Sequence, residues 1–255
     1  MTLALELLPA LAAAFMLAFA RIGSMLMLLP GYGEQFFPAR LRLALALAIT
    51  LIMLPIVQPL LGPTPANLQS LLAVLIHEIL VGLFIGLVLR FISMAMSAAG
   101  TIIAQQIGLS FITQLDPSQG GQSALLANFM TLVATAFVFA TDLHHLALGA
   151  IHDSYKVFQP TLNLPRDDFV KAALTVFVGS FKLAIQLSAP FIVSGLVFQV
   201  ALGVLSRLVP QLQILFLLLP AQIVAGFLLL MAVMATMLSW YSMHVQEAYR
   251  YFLER

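Results

Sequence analysis

Cysteine is absent from this chain of 255 residues. Without thiols there is no cysteine nucleophile, no cysteine-ligated zinc, no iron–sulfur cluster and no disulfide. The fold must therefore be held together by noncovalent contacts alone.

Charge is also scarce: charged residues make up 8% of the chain, whereas hydrophobic residues make up 62%. A soluble globular domain carries about 25% charged residues, so this chain cannot cover its own surface for water. The 11 basic and 10 acidic residues leave a formal net charge of +1, which provides no basic field for nucleic acid. The composition predicts a multi-pass membrane protein or the buried subunit of a hydrophobic assembly, and no nucleic acid partner.

Long apolar runs recur along the sequence. A membrane-spanning helix needs about 20 apolar residues, and six runs reach that length, near 8–29, 41–61, 68–100, 123–148, 169–205 and 212–238. We therefore predict an all-α, multi-helix membrane protein with six helical spans and an amphipathic tail over 244–255.

The third and fifth runs are too long for a simple span, because about 20 residues already cross the hydrocarbon core. Pro190 and Pro220 lie inside the fifth and sixth runs, where proline removes a helical hydrogen bond and usually bends the helix. The short connection Arg207–Gln211 joins these two runs. The pattern predicts a long, kinked helical hairpin.

Ionisable side chains interrupt the apolar runs, and charges at membrane depth are costly enough to suggest a function. A proton or ion relay is one interpretation. We favour pairing between subunits or snorkelling to the interface, because neighbours such as His77 and Glu78 point about 100° apart on a helix. The residues concerned are Arg21, His77, Glu78, Arg90, Asp142, His144, His145 and Lys182.

Enzyme and metal signatures are missing from the sequence. The five histidines have no carboxylates clustered near them at the usual ligand spacings. There is no phosphate-binding glycine loop and no nucleophile elbow. We predict no catalytic residues, no metal and no cofactor.

Small residues form a stripe on the third run. Gly82 and Gly86 are four residues apart, and the same helical spacing continues to Arg90, Ser97 and Thr101. Such a stripe lets another helix approach closely, so the pattern predicts a helix-packing face.

The segment 105–122, between the third and fourth runs, has an unusual composition. It contains five glutamines, a Gly-Gly pair and a single charge at Asp116. A solvated loop usually carries more charge, and irregular backbone at membrane depth is tolerated only when it is buried in protein or lines an aqueous cavity. The composition leaves two interpretations open: a loop that closes a pore, or an ordinary exposed loop.

Several motifs in this chain resemble those of the FliR family, called SctT in virulence systems, an export-gate component of flagellar and type III secretion apparatus. They extend over almost the whole chain in the family's order, so the resemblance does not rest on apolar composition. The matching segments are Ala20–Gly23, Phe37–Arg42, Gln105–Phe111, Asp116-Pro117 and Ala201–Ile214.

The resemblance implies a FliP-like portion over 1–165 and a FliQ-like hairpin and tail over 166–255. It also implies assembly with FliP-like and FliQ-like subunits around a central channel, with FlhB-like and FlhA-like subunits as further partners. The segment 105–122 would then be the channel plug, with Phe111 as its apolar stopper. The plug residues expected are Gly108, Leu109, Ser110, Phe111, Ile112, Asp116, Pro117, Gly120 and Gly121, and the subunit-packing residues are Gly82, Gly86, Arg90, Ser97, Arg207, Pro210, Gln211 and Pro220.

Two positions depart from the family pattern. Where the family often has Gly-Phe-Pro-Leu-Lys, this chain has Leu218-Leu219-Pro220-Ala221-Gln222, so an amide replaces the basic residue. Where the family commonly ends its fourth helix with a Gly-His-like pair, this chain has Leu143-His144-His145. Because Gln222 stands where the family often has lysine, any role of the family's lysine in pairing or ion contact does not transfer to this chain.

The expected function is that of a subunit of the flagellar type III export gate, in the bacterial inner membrane at the basal body. It would help form and close the channel for unfolded export substrates. The alternative is a six-span transporter of small solutes or ions that couples through His77, Glu78, Arg90 and Lys182. That alternative predicts an internal repeat, and the sequence has no clear one. A membrane scaffold without a pore is a third possibility.

Overall fold

A computed structural model gives the fold and describes residues 2–33, 38–62, 67–111, 122–160, 166–208 and 214–253. Within these residues the secondary structure is helical, without strands. The helices are α1 (Thr2–Leu28), α2 (Ala39–Val57) with a 3₁₀ turn at Gln58–Leu60, α3 (Leu68–Gln106), α4 (Gln122–Ala140), α5 (Leu143–Val157), α6 (Arg166–Leu208) and α7 (Ile214–Leu253). The prediction of an all-α, multi-helix membrane protein is confirmed.

Among the described residues, five helices are long and apolar enough to cross a membrane, and α4 with α5 makes a sixth span if the pair is taken as one. These two helices meet at an angle of 76°. The bend occurs at Asp142, whose φ of 57° is left-handed, a conformation that aspartate tolerates better than most residues. The predicted fourth run, 123–148, is therefore not one straight helix.

The longest helices match the overlong runs of the sequence. α3 has 39 residues, α6 has 43 and α7 has 40. Pro190 and Pro220 lie inside α6 and α7, which continue through them; the predicted bends there stay predictions. The predicted amphipathic tail is the end of α7 as far as Leu253.

The chain forms two compact units, each assembled from separate segments. Unit 1 consists of Met1–Phe91, Val138–Phe177 and Val245–Arg255. Its core includes Ile22 and Met25 of α1, Ile85 of α3 and Ile151 of α5, all with at most 1% exposure. Apolar side chains recurring at helical spacing thus pack α1, α3 and α5 together.

Unit 2 consists of Ile92–Phe137 and Val178–His244. Its core includes Met96 and Ile103 of α3, Met130 of α4 and Phe191 of α6. The division into a FliP-like portion (1–165) and a FliQ-like portion (166–255) is a different partition of the chain, and it stays a prediction.

Candidate functional site

Unit 1 contains a buried ion pair between α1 and α3. The Nε and Nη2 atoms of Arg21 donate to the two carboxylate oxygens of Glu78, each at 2.7 Å. Both side chains have no exposed surface. This bidentate geometry is the strongest form of arginine–carboxylate contact.

The same guanidinium also binds the C-terminal end of α5. Nη1 donates to the carbonyl oxygen of Ser154 at 2.9 Å, and Nη2 donates to that of Phe158 at 2.7 Å. The last carbonyls of a helix have no partner within it and carry partial negative charge. The Tyr155 ring lies 3.9 Å from the guanidinium carbon. Arg21 therefore joins three helices of unit 1 at one buried point.

Glycines make this junction possible because they let α3 approach α1 closely. A Cβ atom at Gly82 would overlap the backbone oxygen of Arg21 and the hydroxyl of Ser24, and one at Gly86 would lie 2.8 Å from the Met25 oxygen. The predicted small-residue stripe thus contacts a helix of its own chain. Its predicted role in packing against other subunits stays a prediction.

The ion pair corrects one interpretation of the sequence. Arg21 and Glu78 neither snorkel to the membrane interface nor need an ion-pair partner from another subunit, because they form an ion pair with each other within the chain. His77 is 5% exposed, and neither ring nitrogen has a hydrogen-bond partner. Sequence reasoning flagged these residues but could not pair Arg21 with Glu78, since 57 positions separate them and no local spacing connects them.

The bend between α4 and α5 brings together three side chains that can ligate a metal. Ligand atoms of Asp142, His144 and His145 lie within 4.8 Å of one another. A single carboxylate thus lies beside two histidines, and the prediction that the chain binds no metal stays a prediction. The Asp142 and His145 side chains are 77% and 66% exposed, and their closest atoms are 3.9 Å apart, so water solvates most of this cluster.

In unit 2, the end of α3 is held by α6 and α7. The Gln222 side-chain amide donates to the carbonyl oxygen of Gln106 at 2.8 Å. A Cβ atom at Gly195 would overlap the Gln106 amide, and one at Gly226 would overlap the Ile107 side chain. Hydrogen bonding and close helix approach thus fix the residues that end α3.

The chain leaves α3 through a glycine turn. Gly108 has a φ of 88°, which favours glycine because an L side chain is strained there. The Gly108 backbone is close enough to Leu219 and Gln222 that a Cβ would lie 3.1 and 3.4 Å from their side chains. The amide of Phe111 then donates to the Gly108 oxygen at 3.2 Å. The predicted plug therefore begins at a conformationally defined point.

Over residues 12–248 the sequence matches the family described as bacterial export proteins, family 1. This chain belongs to that family. The resemblance stated from the motifs is confirmed.

Curated relatives carry the flagellar name. The flagellar biosynthetic protein FliR of Caulobacter vibrioides is 42% identical over 238 residues, covering 93% of each chain. FliR of Bacillus subtilis is 30% identical, covering 87% of this chain and 86% of that one. The surface presentation of antigens protein SpaR of Salmonella typhimurium is 26% identical, covering 56% of this chain and 53% of that one. The relatives thus carry both flagellar names and a name that refers to surface presentation of antigens.

The structure places only part of the predicted family site. Of the plug residues, Gly108 to Phe111 are described; Ile112, Asp116, Pro117, Gly120 and Gly121 lie outside the described residues. Of the packing residues, Ser97 and Arg90 are half-buried, Arg207 and Pro220 are exposed, and Pro210 and Gln211 lie outside the described residues.

Proposed function

We propose that this protein is a FliR-type subunit of the flagellar export gate, in the inner membrane at the basal body. It helps form and close the channel through which unfolded flagellar proteins pass. The family membership and the flagellar relatives support its place in the export apparatus. It works as part of an assembly with FliP-like and FliQ-like subunits, and with FlhB-like and FlhA-like subunits.

The junction at the end of α3 is the observation that carries the closing role. Gln106 and Ile107 are held by Gln222 and Gly226, and the chain then turns at Gly108 toward the segment 112–121. A segment that closes a channel needs a firm attachment so that its apolar side chains return to one position. Gly108 gives the backbone a turn next to that attachment. Apolar side chains can block ions by excluding water and can move aside without breaking strong bonds.

The surfaces of α6 and α7 support the role in an assembly. In the 18-residue apolar segments of α6 and α7, only 22% and 11% of the residues are buried within the chain, against 50% in α1. The 36-residue stretch of α6 would be about 54 Å long, well beyond a hydrocarbon core of about 30 Å. The length and the low burial support coverage of part of this apolar surface by other subunits rather than by lipid tails.

The transporter alternative is weakened by the contacts of Glu78, one of its coupling residues. Glu78 would have to exchange a proton or an ion, but both of its oxygens accept hydrogen bonds from Arg21. Lys182, a second coupling candidate, is exposed on α6. Glu78 belongs to unit 1, whereas Lys182 belongs to unit 2.

Ion leakage through the assembled gate tests the proposal. The chain would be co-expressed with its partner subunits, reconstituted into liposomes, and assayed for potassium efflux. We expect a large efflux after deletion of Gly108–Gln122 and a smaller one for Phe111→Ala. Phe129→Ala, which removes an exposed phenylalanine of α4, should remain tight.

Co-purification of the partners separates leakage from failed assembly. If the deleted chain still assembles and the liposomes stay as tight as wild type, the plug assignment is wrong. If the purified chain recovers no partner subunits under any mild detergent condition, its place in the gate is wrong.

A further inference from the structure

An apolar groove of about 490 Å³ lies in unit 1, beside the connection from α1 to α2. Leu26 and Met27 of α1, Leu41 and Ala48 of α2, and Phe139 of α4 are among the residues that line it. Its volume falls within the range of about 300–1,000 Å³ typical of small-molecule sites.

Among the described residues that line this groove, Arg42 is the only charged one. Its Nε is buried and has no hydrogen-bond partner, and a buried donor without a partner is unfavourable. The other polar lining residue, Tyr32, stays neutral because burial raises the pKa of its phenol. The described lining therefore presents one guanidinium, with a free Nε donor, beside an otherwise mostly apolar wall, which matches an anion attached to an apolar chain.

The depth of these residues matches the same chemistry. The membrane-length stretch of α2 begins at Ala39, so Arg42 lies in the first turn of this candidate span, and a span that begins there would place it at the membrane surface. Ala48 lies about 9 Å deeper at 1.5 Å per residue. Leu41 and Leu45 are 59% and 40% exposed, which opens the groove toward the surrounding membrane. Charge at the surface with apolar lining below it follows the layout of a phospholipid.

We propose that this groove binds an anionic phospholipid, with its phosphate on the Arg42 guanidinium and one acyl chain along α2. Arginine binds phosphate oxygens through paired N–H donors, and basic pockets at the ends of membrane helices are suited to lipid headgroups. A helix from another subunit fits less well because the lining that the structure describes carries a single cation and no acidic or amide side chain for protein contacts. The proposal is independent of the gate role.

Photo-crosslinking tests it with the full chain in its assembled, detergent-purified complex. The reagents are photoactivatable phosphatidylglycerol and, for comparison, photoactivatable phosphatidylcholine, each with the reactive group on an acyl chain. We expect mass spectrometry to locate the phosphatidylglycerol adduct on the groove-lining residues of α1 and α2, with phosphatidylcholine labelling at least about tenfold weaker. Equal labelling by the two lipids, or adducts spread evenly over all exposed helices, would overturn the proposal.

Three variants sharpen this result. Arg42→Gln should lower phosphatidylglycerol labelling about tenfold, roughly the effect of losing one charge-assisted hydrogen bond. Arg40→Gln is its matched control, because Arg40 is exposed on the same helix and does not line the groove. Ala48→Trp should fill the groove and abolish labelling. Ala48 is exposed, so tryptophan there does not disrupt the core.

Co-purification of partner subunits can contradict the lipid proposal. If Ala48→Trp keeps its lipid adducts but loses a co-purifying subunit, the groove is a protein interface and the lipid assignment is wrong. If Arg42→Gln and Arg40→Gln lower labelling equally, Arg42 does not recognise the phosphate.

Discussion

The two units of this protein are stabilised by different chemistry. In unit 1 the described core includes charged side chains, and Arg21 joins Glu78 to the end of α5. In unit 2 the buried polar residues among those described are Ser93, Ser180 and Ser188, all neutral. There an amide and close-packed glycines hold the end of α3.

This difference decides which contacts can be broken and remade. Separating a buried ion pair leaves two charges without compensation, whereas separating a neutral amide from a carbonyl costs about 1 kcal/mol net. We therefore expect the Arg21–Glu78 ion pair to stay formed as long as unit 1 is folded. The Gln222–Gln106 hydrogen bond is worth far less free energy, so a substitution there can weaken the attachment of the proposed plug without unfolding the unit.

Breaking the ion pair should have the largest effect. We expect Arg21→Leu to destabilise the chain by about 3–5 kcal/mol, because it leaves Glu78 buried without a partner. The double variant Arg21→Leu, Glu78→Leu should recover much of this loss, though not all, since the carbonyls of Ser154 and Phe158 still lack their donor. Thermal unfolding of the detergent-purified complex, followed by intrinsic fluorescence, measures both variants.

The matched control for charge removal is Lys182→Leu, because Lys182 is exposed inside a membrane-length helix. Its unfolding free energy should change by less than about 0.5 kcal/mol. A double variant as unstable as Arg21→Leu alone would mean that the buried charge is not what makes the single variant unstable.

Glycine substitutions should give a smaller effect that separates the units. Alanine at Gly82 meets the backbone oxygen of Arg21 in α1, which cannot move without shifting a helix, whereas alanine at Gly195 meets mainly the terminal amide of Gln106, which can move by side-chain rotation. Overpacking costs about 1–3 kcal/mol, so we expect Gly82→Ala to fall at the upper end and Gly195→Ala at the lower end. Thermal unfolding again provides the measurement.

Gly179→Ala is the control, since its Cβ would have no neighbour within 4 Å. Alanine there should stabilise the helix by up to about 1 kcal/mol. If Gly82→Ala is as stable as Gly179→Ala, α3 does not require glycine for its approach to α1.

The sequence predicts the helices far better than their contacts. Apolar runs of at least the length of a bilayer predict α1, α2 and α3, because the suitability of a helix for a membrane depends mainly on local composition. The Arg21–Glu78 pair depends on which helices become neighbours, and local patterns do not contain that information. The bend at Asp142 was missed because apolar composition continues on both sides of it. At Gln222 the sequence identified the departure from the family's lysine but not the carbonyl that the amide would meet.

Substitutions at Gln222 should have the smallest effect on stability and the most informative effect on leakage. Gln222→Leu removes the donor to the Gln106 carbonyl and should cost about 1 kcal/mol, together with a measurable rise in potassium efflux from liposomes containing the complex. Gln222→Lys should remain tight, because an ammonium also donates to a carbonyl and is favoured at the C-terminal end of α3. Gln222→Glu should leak more than Gln222→Leu, since it places an acceptor and a negative charge there.

The order of these three variants is the decisive observation. Gln199→Leu is the control for losing an exposed amide in unit 2 and should match wild type in both assays. If lysine leaks as much as leucine, hydrogen-bond donation at position 222 does not position the loop. Gln222 would then contribute to unit 2 through packing only. The difference between the ion pair of unit 1 and the amide contact of unit 2 would have no bearing on channel closure.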